Sequence, residues 1–141
     1  MKILFFMLLS ILVIVPTGLA QENVGVLIVG EPDGQYKSIQ AAIDAANPGD
    51  TIRILPGTYK ESLSISKEIK LEGFSKDEVI IMPEEGKDLG IFVRGAKNFS
   101  IRSVTVIASG AAINVSRSSG QIEDAFIAGG IDRLLERRKA P

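Results

Sequence analysis

A repeat of about twenty residues runs through the second half of the chain and restricts its fold more than any other feature. Gly90, Gly110 and Gly130 recur at intervals of twenty, and Ile91 and Ile113 are separated by twenty-two. Ile101, Val104 and Val106 return as Ile122, Ala125 and Ile127, each twenty-one residues on. The stretches GIFVRGAKNFSIRSVTVIAS and GAAINVSRSSGQIEDAFIAG thus share one outline: an apolar strand, a polar turn, a second apolar strand and a Gly corner. A period of this length is one coil of a β-solenoid. Its apolar side chains point into a tube, and its strand edges pair with the coils above and below.

The rest of the chain fits the same plan. Short β-rich pieces at 51–55, 63–65, 69–72, 79–82, 90–94, 99–107, 112–115 and 121–127 are separated by Gly, Pro, Ser, Asn or Lys. A first strand is expected over 24–29, followed by turn chemistry in Gly30-Glu31-Pro32-Asp33-Gly34. Only one helix is expected in the body of the chain. Ser38 is its N-cap, Ile39, Ala42, Ile43 and Ala46 make its apolar stripe, and Asn47-Pro48-Gly49-Asp50 stops it. The first coil of a solenoid would otherwise leave apolar interior and unpaired strand edges open to water. A small Ala-rich helix over 39–46 covers that end, and its stripe is read as packing.

Composition removes several chemistries. The 141 residues contain no His and no Cys, so no disulfide, thiolate nucleophile, His-ligated metal or Ser-His-Asp arrangement is available. The net charge of −1 lacks the basic excess of a nucleic-acid binder. Catalysis would have to run on Asp, Glu, Arg, Lys or Tyr. Glu84, Glu85 and Asp88 form the one dense acidic group and are read as a solvated turn, so no metal and no cofactor are expected. Arg94, Arg102 and Arg117 are candidates to line one face, where Arg pairs bidentately with carboxylates. Asn98-Phe99-Ser100 and Asn114-Val115-Ser116 fit the glycosylation sequon, which matters only in a eukaryotic secretory pathway.

The two ends differ from the body. Lys2, the apolar run 3–15 and Pro16-Thr17-Gly18-Leu19-Ala20 make a signal-peptide pattern, with cleavage between Ala20 and Gln21. This run of thirteen residues, polar only at Ser10, falls short of the about 20 that span a bilayer. The expected organisation is a signal peptide over 1–20, a strand and capping helix over 21–50, coils over 51–130 and a tail over 131–141. In that tail Ile131, Leu134 and Leu135 are spaced helically, with Asp132 early and Arg137, Arg138 and Lys139 late. It reads either as a closing helix or as a coil cut short. The location expected is secreted or periplasmic, with no membrane contact after cleavage.

Residues 26–83 resemble the opening of pectinesterases and related right-handed β-helix proteins. The matching residues run from Asp33-Gly34-Gln35-Tyr36-Lys37-Ser38-Ile39-Gln40-Ala41-Ala42-Ile43 through Gly49-Asp50-Thr51-Ile52-Arg53-Ile54. They continue in Pro56-Gly57-Thr58-Tyr59-Lys60-Glu61, which contains the G-x-Y-x-E motif, and in Ile69-Lys70-Leu71-Glu72-Gly73. The resemblance implies an all-β, right-handed parallel β-helix of about four coils with a short N-terminal capping helix and a uronate-type polysaccharide as partner. In the motif, Gly57 is expected to turn a corner, Tyr59 to pack on the capping helix and Glu61 to start the next strand. Pectinesterases also carry two catalytic aspartates, a Gln pair and an Arg in later segments. Here no Gln-Asp pair occurs, and Asp124-Ala125-Phe126-Ile127-Ala128-Gly129 matches an Asp-Phe-Ile-Phe-Gly segment only with an inserted residue. On an esterase reading Asp124 is nucleophile or acid and Arg102 joins it, with the second carboxylate missing. The leading expectation is a polysaccharide-related β-helix without catalysis of its own. The alternatives are a pectinesterase-like esterase and an interaction solenoid of the cell envelope, whose open end would allow end-to-end self-association.

Overall fold

The computed structural model describes residues 24–129. The expected signal segment and the tail over 131–141 lie outside those residues. Among the described residues no helix is long and apolar enough to cross a membrane.

Twelve strands and one helix follow a fixed rotation. After β1 (Val26–Val29) and α1 (Ile39–Ala45), the chain runs β2 (Thr51–Ile54), β3 (Gly57–Lys60) and β4 (Leu63–Ile65). It continues through β5 (Lys70–Gly73), β6 (Val79–Met82), β7 (Ile91–Arg94), β8 (Phe99–Arg102), β9 (Thr105–Ile107), β10 (Ile113–Ser116), β11 (Gly120–Glu123) and β12 (Phe126–Ala128). Successive strands enter three different parallel sheets in turn: β1-β2-β5-β8-β11, β12-β9-β6-β3 and β10-β7-β4. This is a parallel β-helix. It makes about five turns rather than the four expected, because β1 with α1 forms a first turn and β11 with β12 a last one.

The pairs expected from spacing meet in register: Ile113 on Ile91, Ile122 on Ile101 and Ile127 on Val106. Alternate residues on each strand point inward. Leu27, Ile52, Leu71 and Ile101 stack in one buried row, and Leu63 and Ile91 in another. The rows run out at the last described strand of each sheet, where Ile122, Val115 and Phe126 are exposed.

Two strand expectations are corrected. The segments 99–107 and 121–127 are not single strands. Each breaks at a residue with positive φ, Ser103 at 54° and Asp124 at 45°, which bends the chain from the five-stranded sheet into the four-stranded one. Asp tolerates this left-handed conformation better than most residues because its short side chain bonds locally. In addition, 57–60 forms β3, which the Gly-Pro-rich context had disguised as a turn.

The helix is held from outside itself. Ser38 is its N-cap, with an extended backbone and a hydroxyl accepting from the Ala41 N–H at 3.3 Å. Ile39, Ala42 and Ile43 are buried against the first coil. Glu61, from the segment after β3, accepts from the Ser38 hydroxyl (2.9 Å), the Ile39 N–H (2.8 Å) and the Gln40 N–H (3.0 Å). Lys67 donates to the carbonyls of Ile43, Asp44 and Ala46 at 2.8–2.9 Å. An anion thus closes the positive end of the helix and a cation its negative end. The side-chain amide of Gln40 meets both the N–H and the carbonyl of Ser64, so the exposed edge of β4 is covered. Buried Asp50 accepts from Gly25 N (2.6 Å) and Asn47 N (2.8 Å), tying the turn after α1 to β1.

Glu61 therefore does not start a strand: it clamps the helix. Tyr59 points inward, and its hydroxyl donates to the Leu55 carbonyl at 2.8 Å beside Gly30. Burial, and secondarily the Glu61 charge, raises the Tyr59 pKa above its ordinary value.

Candidate functional site: the outer face of the five-stranded sheet

Residues that alternate with the buried rows face solvent, and parallel register places them side by side at about 4.8 Å per strand. On the five-stranded sheet this creates two ladders. One is Thr51–Lys70–Ser100–Gln121. The other is Arg53–Glu72–Arg102–Glu123, in which the sign of charge alternates at every step. The Glu72 carboxylate serves both neighbours, hydrogen-bonding Arg102 and lying 3.8 Å from Arg53. Glu72 is the less exposed partner, at 24% against 53% for Arg53 and 52% for Arg102. The face carries a hollow of about 610 Å³ whose polar lining includes Lys70, Glu72, Ser100, Arg102, Gln121 and Glu123.

The two catalytic candidates occupy adjoining coils but are engaged elsewhere. Arg102 is taken up by Glu72. Asp124 sits at the corner beyond β11, 2.7 Å from the Lys76 ammonium and 3.2 Å from the Ser103 hydroxyl, which donates to it. The bond from Lys76, then that from Ser103, holds the Asp124 carboxyl below its ordinary 3.8. Lys76 is raised above 10.5, chiefly by the same bond. A carboxyl so acidified is a poor proton donor near neutrality. Ser103 and Asp124 are stacked corners of consecutive coils, both in the left-handed region.

This exposed pair has a defined pH dependence. Asp124 is more acidic folded than unfolded, so its contribution is present above 3.8 and lost as pH falls through the lower folded value. Lys76 is more basic folded, so its contribution is present below 10.5 and lost as pH rises through the higher folded value. The melting temperatures of the protein and its Asp124→Asn variant should differ slightly between those limits, because exposed pairs stabilise little. They should converge once the pH falls below the lowered folded value of Asp124. A gap that persists there would mean that Asp124 acts through something other than its charge.

The remaining sequence candidates separate. Arg94 ends β7 in the three-stranded sheet and Arg117 follows β10 of that sheet, so neither shares a face with Arg102. Glu84 pairs with Lys87 at 2.6 Å, and Asp88 accepts from the Ser109 hydroxyl at 2.7 Å. Among the described residues no three His, Cys, Asp or Glu side chains converge as a metal site.

Sequence reasoning missed Lys70, Arg53, Glu72 and Glu123. The intervals along the charged ladder are nineteen, thirty and twenty-one residues. The segment between β6 and β7 lengthens one coil and hides the period.

No family model matches the sequence, and no curated protein matches it. Solved structures do. A pectin methylesterase in complex with hexasaccharide VII superposes with a TM-score of 0.61 at 19% identity, over 73% of this chain and 45% of that one. Pectin methylesterase PemA from Erwinia chrysanthemi gives 0.60 at 20% identity, over 76% and 45%. A mutant pectin methylesterase in complex with hexasaccharide IV gives 0.59 at 20%, over 73% and 49%. The chain spans less than half the length of these proteins. The fold is thus the parallel β-helix that these pectin methylesterases share.

Proposed function

We propose that the chain is an exported β-helix module that binds an extended polysaccharide of uronate type along its five-stranded face, without completing an esterase site by itself. The observation that carries this reading is the pair of outward ladders over the hollow. Donors and acceptors repeat at one strand spacing, as sugar hydroxyls repeat along a polymer. Lys70 and Arg102 are the cations suited to uronate carboxylates. Glu72 and Glu123 balance them, so a fully ionised polymer gains little over a partly esterified one. The solved neighbours with bound hexasaccharides support a polysaccharide as the ligand class. Against an esterase stands the engagement of Asp124 by Lys76 and of Arg102 by Glu72.

Binding of the purified chain to methylated pectin and to polygalacturonate, with methanol release followed in parallel, tests the reading. Binding to both polymers without methanol is the expected result. Glu72→Gln should tighten polygalacturonate binding roughly fivefold, since removing one like charge about 4 Å away gains about 1 kcal/mol in water. Methanol release would move the chain to the esterases. A folded chain that binds neither polymer but dimerises with concentration would be an interaction solenoid, docking through its exposed last coil. Export predicts a mature chain that begins at Gln21, which N-terminal sequencing of the secreted protein checks; an intact Met1 terminus would refute it.

A further inference from the structure

Phe74 is 64% exposed, and its exposure has no explanation in the ends of the solenoid. The other exposed large apolar side chains belong to the first strand region (Val24, Val26) or to the last two described coils (Ile107, Val115, Ile122, Phe126), at the limits of the described residues. Phe74 lies in the third of five turns, with described coils on both sides. Nor is the segment loosely held. The Phe74 N–H donates to the Ile54 carbonyl at 2.9 Å, continuing the parallel ladder past the end of β5. The Ser75 carbonyl accepts from Glu78 N (3.1 Å) and Val79 N (2.9 Å), and the Lys76 carbonyl accepts from the Thr105 hydroxyl at 2.6 Å. A ring whose burial would stabilise the fold by about 2 kcal/mol instead stands in water on a fixed backbone.

Lys70 and Glu72 line the hollow, and Phe74, the next alternate residue just past the end of β5, continues their outward row beyond it. Two residues on, Lys76 pairs with the carboxylate of Asp124, the residue after Glu123 of the hollow. We infer that Phe74 is an aromatic platform at one end of the groove, against which the apolar face of a pyranose ring stacks while Glu72, Arg102 and the Lys76–Asp124 pair meet its hydroxyl or carboxylate edge. This rests on the polysaccharide reading above and deepens it. A flat aromatic ring presents its π face to the C–H face of a sugar, and its backbone is already fixed by the ladder bond to Ile54.

The chain contains no Trp, so Phe74→Trp places a single reporter at the platform. The parent, Phe74→Ala and Phe74→Trp are titrated with a galacturonate hexasaccharide and a partly methylated one. Calorimetry gives affinity, and tryptophan emission is read in Phe74→Trp. The expected result is a roughly five- to tenfold loss of affinity in Phe74→Ala with its melting temperature unchanged, since the side chain packs on little. Phe74→Trp should bind at least as tightly as the parent, with its emission shifted on saturation. A parent that binds while Phe74→Ala binds equally and the Trp emission stays still would overturn the platform and leave the polysaccharide reading standing. A parent that binds neither oligosaccharide overturns both.

Discussion

Glu61→Ala is expected to lower the melting temperature by roughly 15 °C. The Glu61 carboxylate is the common acceptor for the Ser38 hydroxyl and the Ile39 and Gln40 N–H groups, all at the start of α1. Hydrogen bonds to a charged group are worth about 1.5–3 kcal/mol each when well buried. This set is only partly buried, so a total of about 3 kcal/mol is reasonable, and each kcal/mol moves the midpoint of a domain this size by about 4–8 °C. The effect should centre on the first turn. Without the clamp, α1 loses its fixed seat, and Ile39, Ala42 and Ile43, all buried, are uncovered together with the open end of the tube. Glu61→Gln keeps one acceptor oxygen and should lose about half as much. Thermal melts by circular dichroism give the size, and hydrogen exchange in α1 gives the location. A midpoint within about 2 °C of the parent would show that the helix is held by its apolar face alone.

Gly73→Ala is expected to be more damaging still. Gly73 ends β5 at an inward position, in register with Ile54. One coil on, Ser103 turns the chain through positive φ and brings its own backbone into the tube at that level. A Cβ on Gly73 would stand 2.0 Å from the Ser103 carbonyl oxygen and 2.8 Å from a Val104 methyl. Backbone cannot swing aside as the end of a long side chain can, so the coils must separate. Losses above about 4 kcal/mol belong to this kind of conflict. Chemical denaturation should find no cooperative native state or a severely weakened one. Gly86→Ala is the matched control. Its φ of +84° is unfavourable for Ala, but nothing lies within 4 Å, so only about 1 kcal/mol should be lost. Equal behaviour of the two variants would refute the packing account of the corner.

Both substitutions act between coils rather than within one, as expected where each repeat contacts only its neighbours and the interfaces carry the stability. The candidate binding face has the same origin. Its charges come from four strands, and no single coil contains more than one step of the alternating ladder.

The solenoid is legible in the amino-acid sequence. An inward residue must be apolar in every coil, so Ile91 with Ile113, Ile101 with Ile122 and Val106 with Ile127 leave a period that can be read without coordinates. The capping helix was equally legible, because Ser38, the Ala-rich stripe and Asn47-Pro48-Gly49-Asp50 are local signals. Other features emerge only in three dimensions. Glu61 reaches the helix across 22 residues to Ile39, and no local pattern marks that partner. The breaks at Ser103 and Asp124 are made by residues other than Gly, so the strands on either side read as continuous. The ladder from Arg53 to Glu123 stayed hidden for a third reason. Outward positions tolerate any polar residue, and their alignment depends on turn lengths that change from coil to coil. Inward rows are written in the sequence because burial selects for them at every turn, whereas outward rows become visible only once the register has brought the strands together.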